Sequence, residues 1–163
     1  MALRMTQKES PSSAENWVVF DEETKILLLG LDSAEYQVAM ERMRRRIQRN
    51  DAQFNEGDVG VIAGERTEHQ NQCMLLSHFI VKDWVGVQDA DGNPLKFTPN
   101  VAADLLEANI EFFIFVIREA GKVSADARAE LAETVGKPLP ALSGKESGRG
   151  KARKGAPSSS ASD

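Results

Sequence analysis

A chain of 163 residues is sized for one domain with tails, since domains run to roughly 100–200 residues. Apolar residues at 41% and charged residues at 28% exclude a collagen-like or wholly disordered polypeptide and leave enough greasy surface for a core. The net charge of −5 divides into +1 over residues 1–14, +3 over residues 143–163 and −9 over residues 15–142, and so acidic a body repels phosphate backbones and disfavours general nucleic-acid binding.

Both ends read as disordered, because Ser10 to Ala14 and Ser143 to Asp163 are built from Ser, Gly, Pro, Ala and charge. This bounds a single globular domain at residues 16–142, with segments 1–15 and 143–163 outside it. Trp17-Val18-Val19-Phe20 and Ile26-Leu27-Leu28-Leu29, separated by Asp21 to Lys25, predict two short strands in a β-hairpin. Asp32 with Glu35 three positions on predicts a capped helix start. Tyr36, Met40, Met43 and Ile47 follow on one helical face. The flanks of that helix hold Arg42, Arg44, Arg45, Arg46 and Arg49, which suit either an acidic or phosphate-bearing partner or a solvated surface.

Asn55 to Gly60 is rich in helix breakers, after which Arg66 to Lys82 predicts a helix with His69, Cys73, Leu76 and Ile80 on one face. Trp84 to Val87 and Pro94 to Phe97 flank Asp91-Gly92 and predict a second small hairpin. Thr98-Pro99 then sets an N-cap hydroxyl ahead of a proline at the first helical position, starting a helix with Val101, Leu105 and Leu106. Ile110 to Ile117 is too apolar for a one-faced helix, so it is central to the core or partly a binding surface. A last helix is expected over Ala125 to Val135, capped by Ser124 and closed by Gly136. The expected fold class is mainly α (α+β): four to five helices with one or two short hairpins.

The residues offer little chemistry. Cys73 is the lone cysteine, and His69, Cys73 and His78 fall short of a four-ligand zinc set, so packing is the better reading of all three. Val59 to Gly64 lacks the lysine and hydroxyl of a phosphate loop, and the carboxylates fall at caps, turns and helix surfaces. No enzyme and no cofactor are expected. No apolar run reaches the roughly 18–20 residues of a membrane helix, and residues 1–16 lack a signal-peptide stretch, so neither membrane insertion nor secretion by that route is expected.

One stretch carries a likeness. An aliphatic helix end at His78 to Val81, Trp84 and Gly86, the Asp91-Gly92 turn, Phe97-Thr98-Pro99, Leu105-Leu106 and the aromatic helix from Phe112 to Ala120 together resemble the tail assembly chaperones of long-tailed bacteriophages. The strand and capped helix from Leu29 to Arg45 look similar too, so the likeness spans about two thirds of the chain. It implies a small helical protein of the host bacterial cytoplasm that binds the tape measure protein and keeps it soluble until the tail tube protein polymerises around it, and that is absent from the virion. It implies further that Phe112, Phe113, Phe115 and Ile117 divide between core and groove, and that the arginines from Arg42 to Arg49 meet acidic stretches of the partner. Two other functions compete: a small nucleic-acid-binding or regulatory protein using the arginine helix and the basic tail Gly148 to Lys154, and a minor structural tail protein.

Overall fold

A computed structural model of the chain describes residues 14–136. The expected disordered ends, apart from Ala14 and Glu15, fall outside that range. Among the described residues there are four helices and one three-stranded antiparallel sheet.

The sequence enters through β1 (Glu15–Val19), which pairs antiparallel with β2 (Lys25–Leu29), as the alternation of apolar runs predicts. Asp21 closes the turn by accepting from the Glu23 and Thr24 amides at 2.9 and 2.7 Å. Those bonds favour the ionised carboxylate and hold its pKa below the usual value. The helix α1 (Ala34–Asp51) starts at Ser33 with no side-chain capping bond, so the expected cap at Asp32 is displaced by one residue. Here the Gln37 side-chain amide holds the entry, donating to the Leu31 carbonyl.

A second correction concerns α2 (Glu68–Phe79), which is shorter than the predicted Arg66–Lys82. Thr67 and Gln70 form a reciprocal capping box at its start. At its end the chain leaves the helix at Ile80 and becomes β3 (Val81–Val85), which pairs antiparallel with β2. Periodicity misassigned Val81 and Lys82 because a short apolar run bordering a helix fits either state. The sheet order is therefore β1-β2-β3, with an irregularity between Leu27 and Leu28. The Asp91-Gly92 turn is present with Gly92 at φ +83°, yet the hairpin around it is reduced to one bridge, Gln88 with Pro94.

Thr98 caps α3 (Pro99–Ala108) as expected, accepting from the Val101 amide at 3.2 Å. Asn109 then ends α3 and caps α4 (Ile110–Gly136), its side-chain oxygen accepting from Phe112 N. The expected break near Gly121 does not occur: α4 is one helix of 27 residues, and Ser124 donates back to the Ala120 and Gly121 carbonyls instead of capping a new start. Glycine within a helix costs roughly 1 kcal/mol relative to alanine, too little to end one that packs well. Gly121 lies beside Leu31.

The core gathers Ile26, Leu28, Leu76, Ile80, Leu106 and Val116, all fully buried. α4 crosses β2 and reaches β1, α3 packs on α2 and α4, and α2 abuts β3. α1 stands apart from this arrangement, with α2 as its principal neighbour and Tyr36 as its one buried residue.

Candidate functional site

α1 brings Tyr36, Ala39, Met40, Met43 and Ile47 to one side, following the helical repeat. Tyr36 is buried, Met40 packs against the core, and the others stay half-open because α2 meets α1 along only one flank. The space left between the helices is a hollow of about 430 Å³ whose apolar lining includes Ala39, Met43, Ile47, Met74 and Leu75. A second hollow of about 340 Å³ continues it toward the start of α1, past Val38 and Phe79. The two share Ala39 and Arg42, so together they run along α1 from Ala34 to Asn50. At 1.5 Å per residue this groove is roughly 24 Å long. The loop between α1 and α2 closes its far end, where Asn50 donates to Glu65 Oε1 at 3.1 Å.

The five predicted arginines separate by helical phase. Arg42 and Arg46 line the groove, and Arg49 is exposed outside it. Arg44 lies on the other flank, near Tyr36, whose phenol pKa is raised by burial and pulled partly back by Arg44. Arg45 points away and pairs with Glu41 at 3.7 Å. Among the described residues none of Arg42, Arg44, Arg46 or Arg49 has a carboxylate within 4 Å. The solvated-surface reading therefore suits Arg44, Arg45 and Arg49, whereas Arg42 and Arg46 form a cationic edge beside apolar surface.

A family model described as YdaY prophage protein matches residues 31–137, well over half of the chain. The chain belongs to the YdaY prophage protein family. No curated protein and no solved structure matches it. Membership associates the chain with bacteriophage, and the matched span takes in all four helices and so the whole groove, with β1 and β2 preceding it.

In this YdaY-family protein the apolar segment of α4 divides cleanly. Phe112, Phe113, Phe115 and Val116 are buried, with Phe20 edge-on to Phe112 and Phe115 at 5.7 and 4.9 Å between ring centroids. Phe113 meets the His69 ring edge-on at 4.6 Å. Ile110, Ile114 and Ile117 are exposed, at spacings of four and three, and form an apolar row on the outer face. Of the proposed division between core and groove, the three phenylalanines are core and Ile117 is surface. Ile110 and Ile114 were missed, although their spacing with Ile117 was visible in the sequence. Ile114 lines a shallow hollow of about 400 Å³ with Val19 and Arg118.

The remaining motif residues are structural. Trp84 is buried, donates its indole N–H to the Leu95 carbonyl at 2.7 Å and meets Phe97 edge-on at 5.1 Å. Leu106 is buried and Leu105 packs at its side, while Gly86, Asp91, Gly92 and Pro99 shape turns and a helix start.

His69 and Cys73 do meet, with Nε2 and Sγ 3.7 Å apart, while His78 is exposed and bonds the Met74 carbonyl. Among the described residues no group of three or more His, Cys, Asp or Glu is placed to hold a metal, and no helix is long and apolar enough to cross a membrane. Burial pushes the Cys73 thiol up to about 11, and the Glu107 carboxylate adds to the shift. Iodoacetamide at neutral pH should therefore leave the folded protein unmodified and alkylate it fully in guanidinium, as read by intact mass. Between pH 9 and about 11 the unfolded thiol has lost its proton and the folded one keeps it, so this residue's contribution to stability falls as pH rises. A Cys73→Ala variant should show a flatter decline across that window in urea titrations.

Proposed function

We propose that this prophage protein is a non-enzymatic tail assembly chaperone that binds the tape measure protein in the host bacterial cytoplasm and departs before the virion is complete. The observation that carries the reading is the open groove along α1: an 18-residue helix buries one side chain and leaves Ala39, Met43 and Ile47 along a trough with Met74 and Leu75. The trough mixes these apolar side chains with the polar edge of Arg42, Arg46 and Asn50, the combination an amphipathic partner needs. A groove of this kind takes a helix by its apolar face. Phage family membership and the resemblance through Trp84, Gly86, Phe97 and Leu105-Leu106 support the same reading.

The test is co-expression with a phage tape measure protein, a long helical polypeptide. That polypeptide should move from pellet to supernatant when the full chain is present and co-purify with it, and mass spectrometry of purified particles should find it without the chaperone. A long chain that stays insoluble, or a chaperone that remains in finished particles, overturns the proposal; the second result would favour a structural tail protein.

A further inference from the structure

The groove carries charge as well as apolar surface, and the two are ordered relative to each other. Arg42 and Arg46 stand one turn apart on its edge, so two guanidinium groups lie roughly 6 Å apart along one helix flank. Neither is neutralised by a carboxylate among the described residues. Residues 15–142 carry −9 overall, so an acidic partner is repelled by most of this surface and drawn to this edge. At the loop end the lining adds Arg66 and a Glu65 that accepts from Asn50, so that end stays net positive, whereas at the other end Glu35 offsets Arg42 beside Val38 and Phe79 and a further carboxylate would be unwelcome. The floor is built around Met43 and Met74, flexible side chains that adapt to varied apolar contours.

We infer that the α1–α2 groove receives an acidic amphipathic helix of about four turns. Its apolar face lies on Met43, Ile47, Met74 and Leu75, and its carboxylates, one turn apart, face Arg42 and Arg46. The lopsided charge sets the direction: the carboxylate-bearing half of the guest sits toward the loop after α1, and its uncharged half sits toward Phe79. Duplex DNA satisfies the arginines but not the apolar floor, and the acidic body opposes it. The inference rests on the chaperone reading for its biological guest, but the groove's preference can be measured independently.

The probe is a fluorescein-labelled synthetic helix of about 20 residues with a Leu/Ala stripe and glutamates on its flank at spacings of four and three. A second version carries lysine at those positions. Full-length protein should bind the glutamate helix saturably and at least about tenfold tighter than the lysine helix, by fluorescence polarisation. Arg42→Glu with Arg46→Glu should reverse that order. These side chains are exposed, so melting temperatures should match the parent, and Arg42→Gln with Arg46→Gln serves if they do not. Equal affinity for the two helices, affinity indifferent to the double substitution, or displacement of the helix by duplex DNA or phosphatidylglycerol vesicles overturns the inference. Failure here alongside successful solubilisation of the long partner would condemn the groove and leave the chaperone reading standing. The opposite pair of results would do the reverse.

Discussion

A chain carrying Phe113→Ser and Phe115→Ser is expected to be recovered unfolded or not at all. Both rings are buried, one against His69 and the other against Phe20, on the helix that crosses β2 and packs on α3. Removing a buried phenylalanine costs roughly 3–5 kcal/mol, and a serine hydroxyl left without a partner adds about 1–3 kcal/mol. Two such losses match or exceed the whole stability of a typical domain, about 5–15 kcal/mol. Circular dichroism and a urea titration would show it as a lost cooperative transition. The control lies between the two sites: Ile114→Ser removes an exposed side chain from the same turn and should stay within about 1 kcal/mol of the parent. A folded double-serine protein would mean that these rings are not the core, and the packing of α4 would have to be redrawn.

Helical phase explains why the segment from Ile110 to Ile117 was ambiguous in the sequence and is not in the structure. Composition gave no reason to choose between a core helix and a binding surface, since phenylalanine and isoleucine are equally greasy. Helical phase separates them, with Phe112 and Phe115 against Phe20, Phe113 against His69 of α2, and the isoleucines toward solvent. The first hairpin, the caps at Thr98 and the Asp91-Gly92 turn were legible because each depends on a few adjacent residues. β3 was legible only at its end, Trp84 and Val85, because its pairing with β2 joins residues more than fifty positions apart and leaves no local trace of the partner. The split of α4 at Gly121 failed for a related reason: one glycine is a weak local signal that tertiary packing overrides.

The groove was half legible. Met43 and Ile47 were assigned to an apolar helical face, and the arginines to its flanks, from spacing alone. What spacing could not supply is that α2 stops short of covering that face, which leaves Arg42 and Arg46 on an edge and Arg44 and Arg45 elsewhere. Because α1 is held mainly by Tyr36, by α2 and by the Asn50–Glu65 bond, a guest lying in the groove would fix a helix that the fold itself anchors lightly. Binding would then raise the stability of α1 before that of the core, a difference that residue-level hydrogen exchange resolves.

Gly86→Ala is expected to destabilise the protein by about 3 kcal/mol or more, whereas Gly92→Ala should cost about 1 kcal/mol. Both glycines have φ +83°, so the backbone penalty for an L side chain is the same at each. Their surroundings differ. At Gly92 an added methyl group meets nothing closer than Gln88 Oε1 at 4.0 Å. At Gly86 it overlaps the Glu23 carbonyl oxygen, part of the turn between β1 and β2, and backbone cannot rotate aside as a side chain can. Relief would require that turn to move away from the end of β3, pulling on the Lys25–Val85 and Ile26–Trp84 pairs, and Ile26 and Trp84 are both buried. The turn between the first two strands is thereby tied to the end of β3 at a point where only glycine fits. Urea titrations of the two variants beside the parent would measure the contrast. Equal losses would mean that conformation alone sets the cost and that the close approach to Glu23 relaxes freely; a much larger loss at Gly86 places the strand junction among the strictest constraints in the sequence.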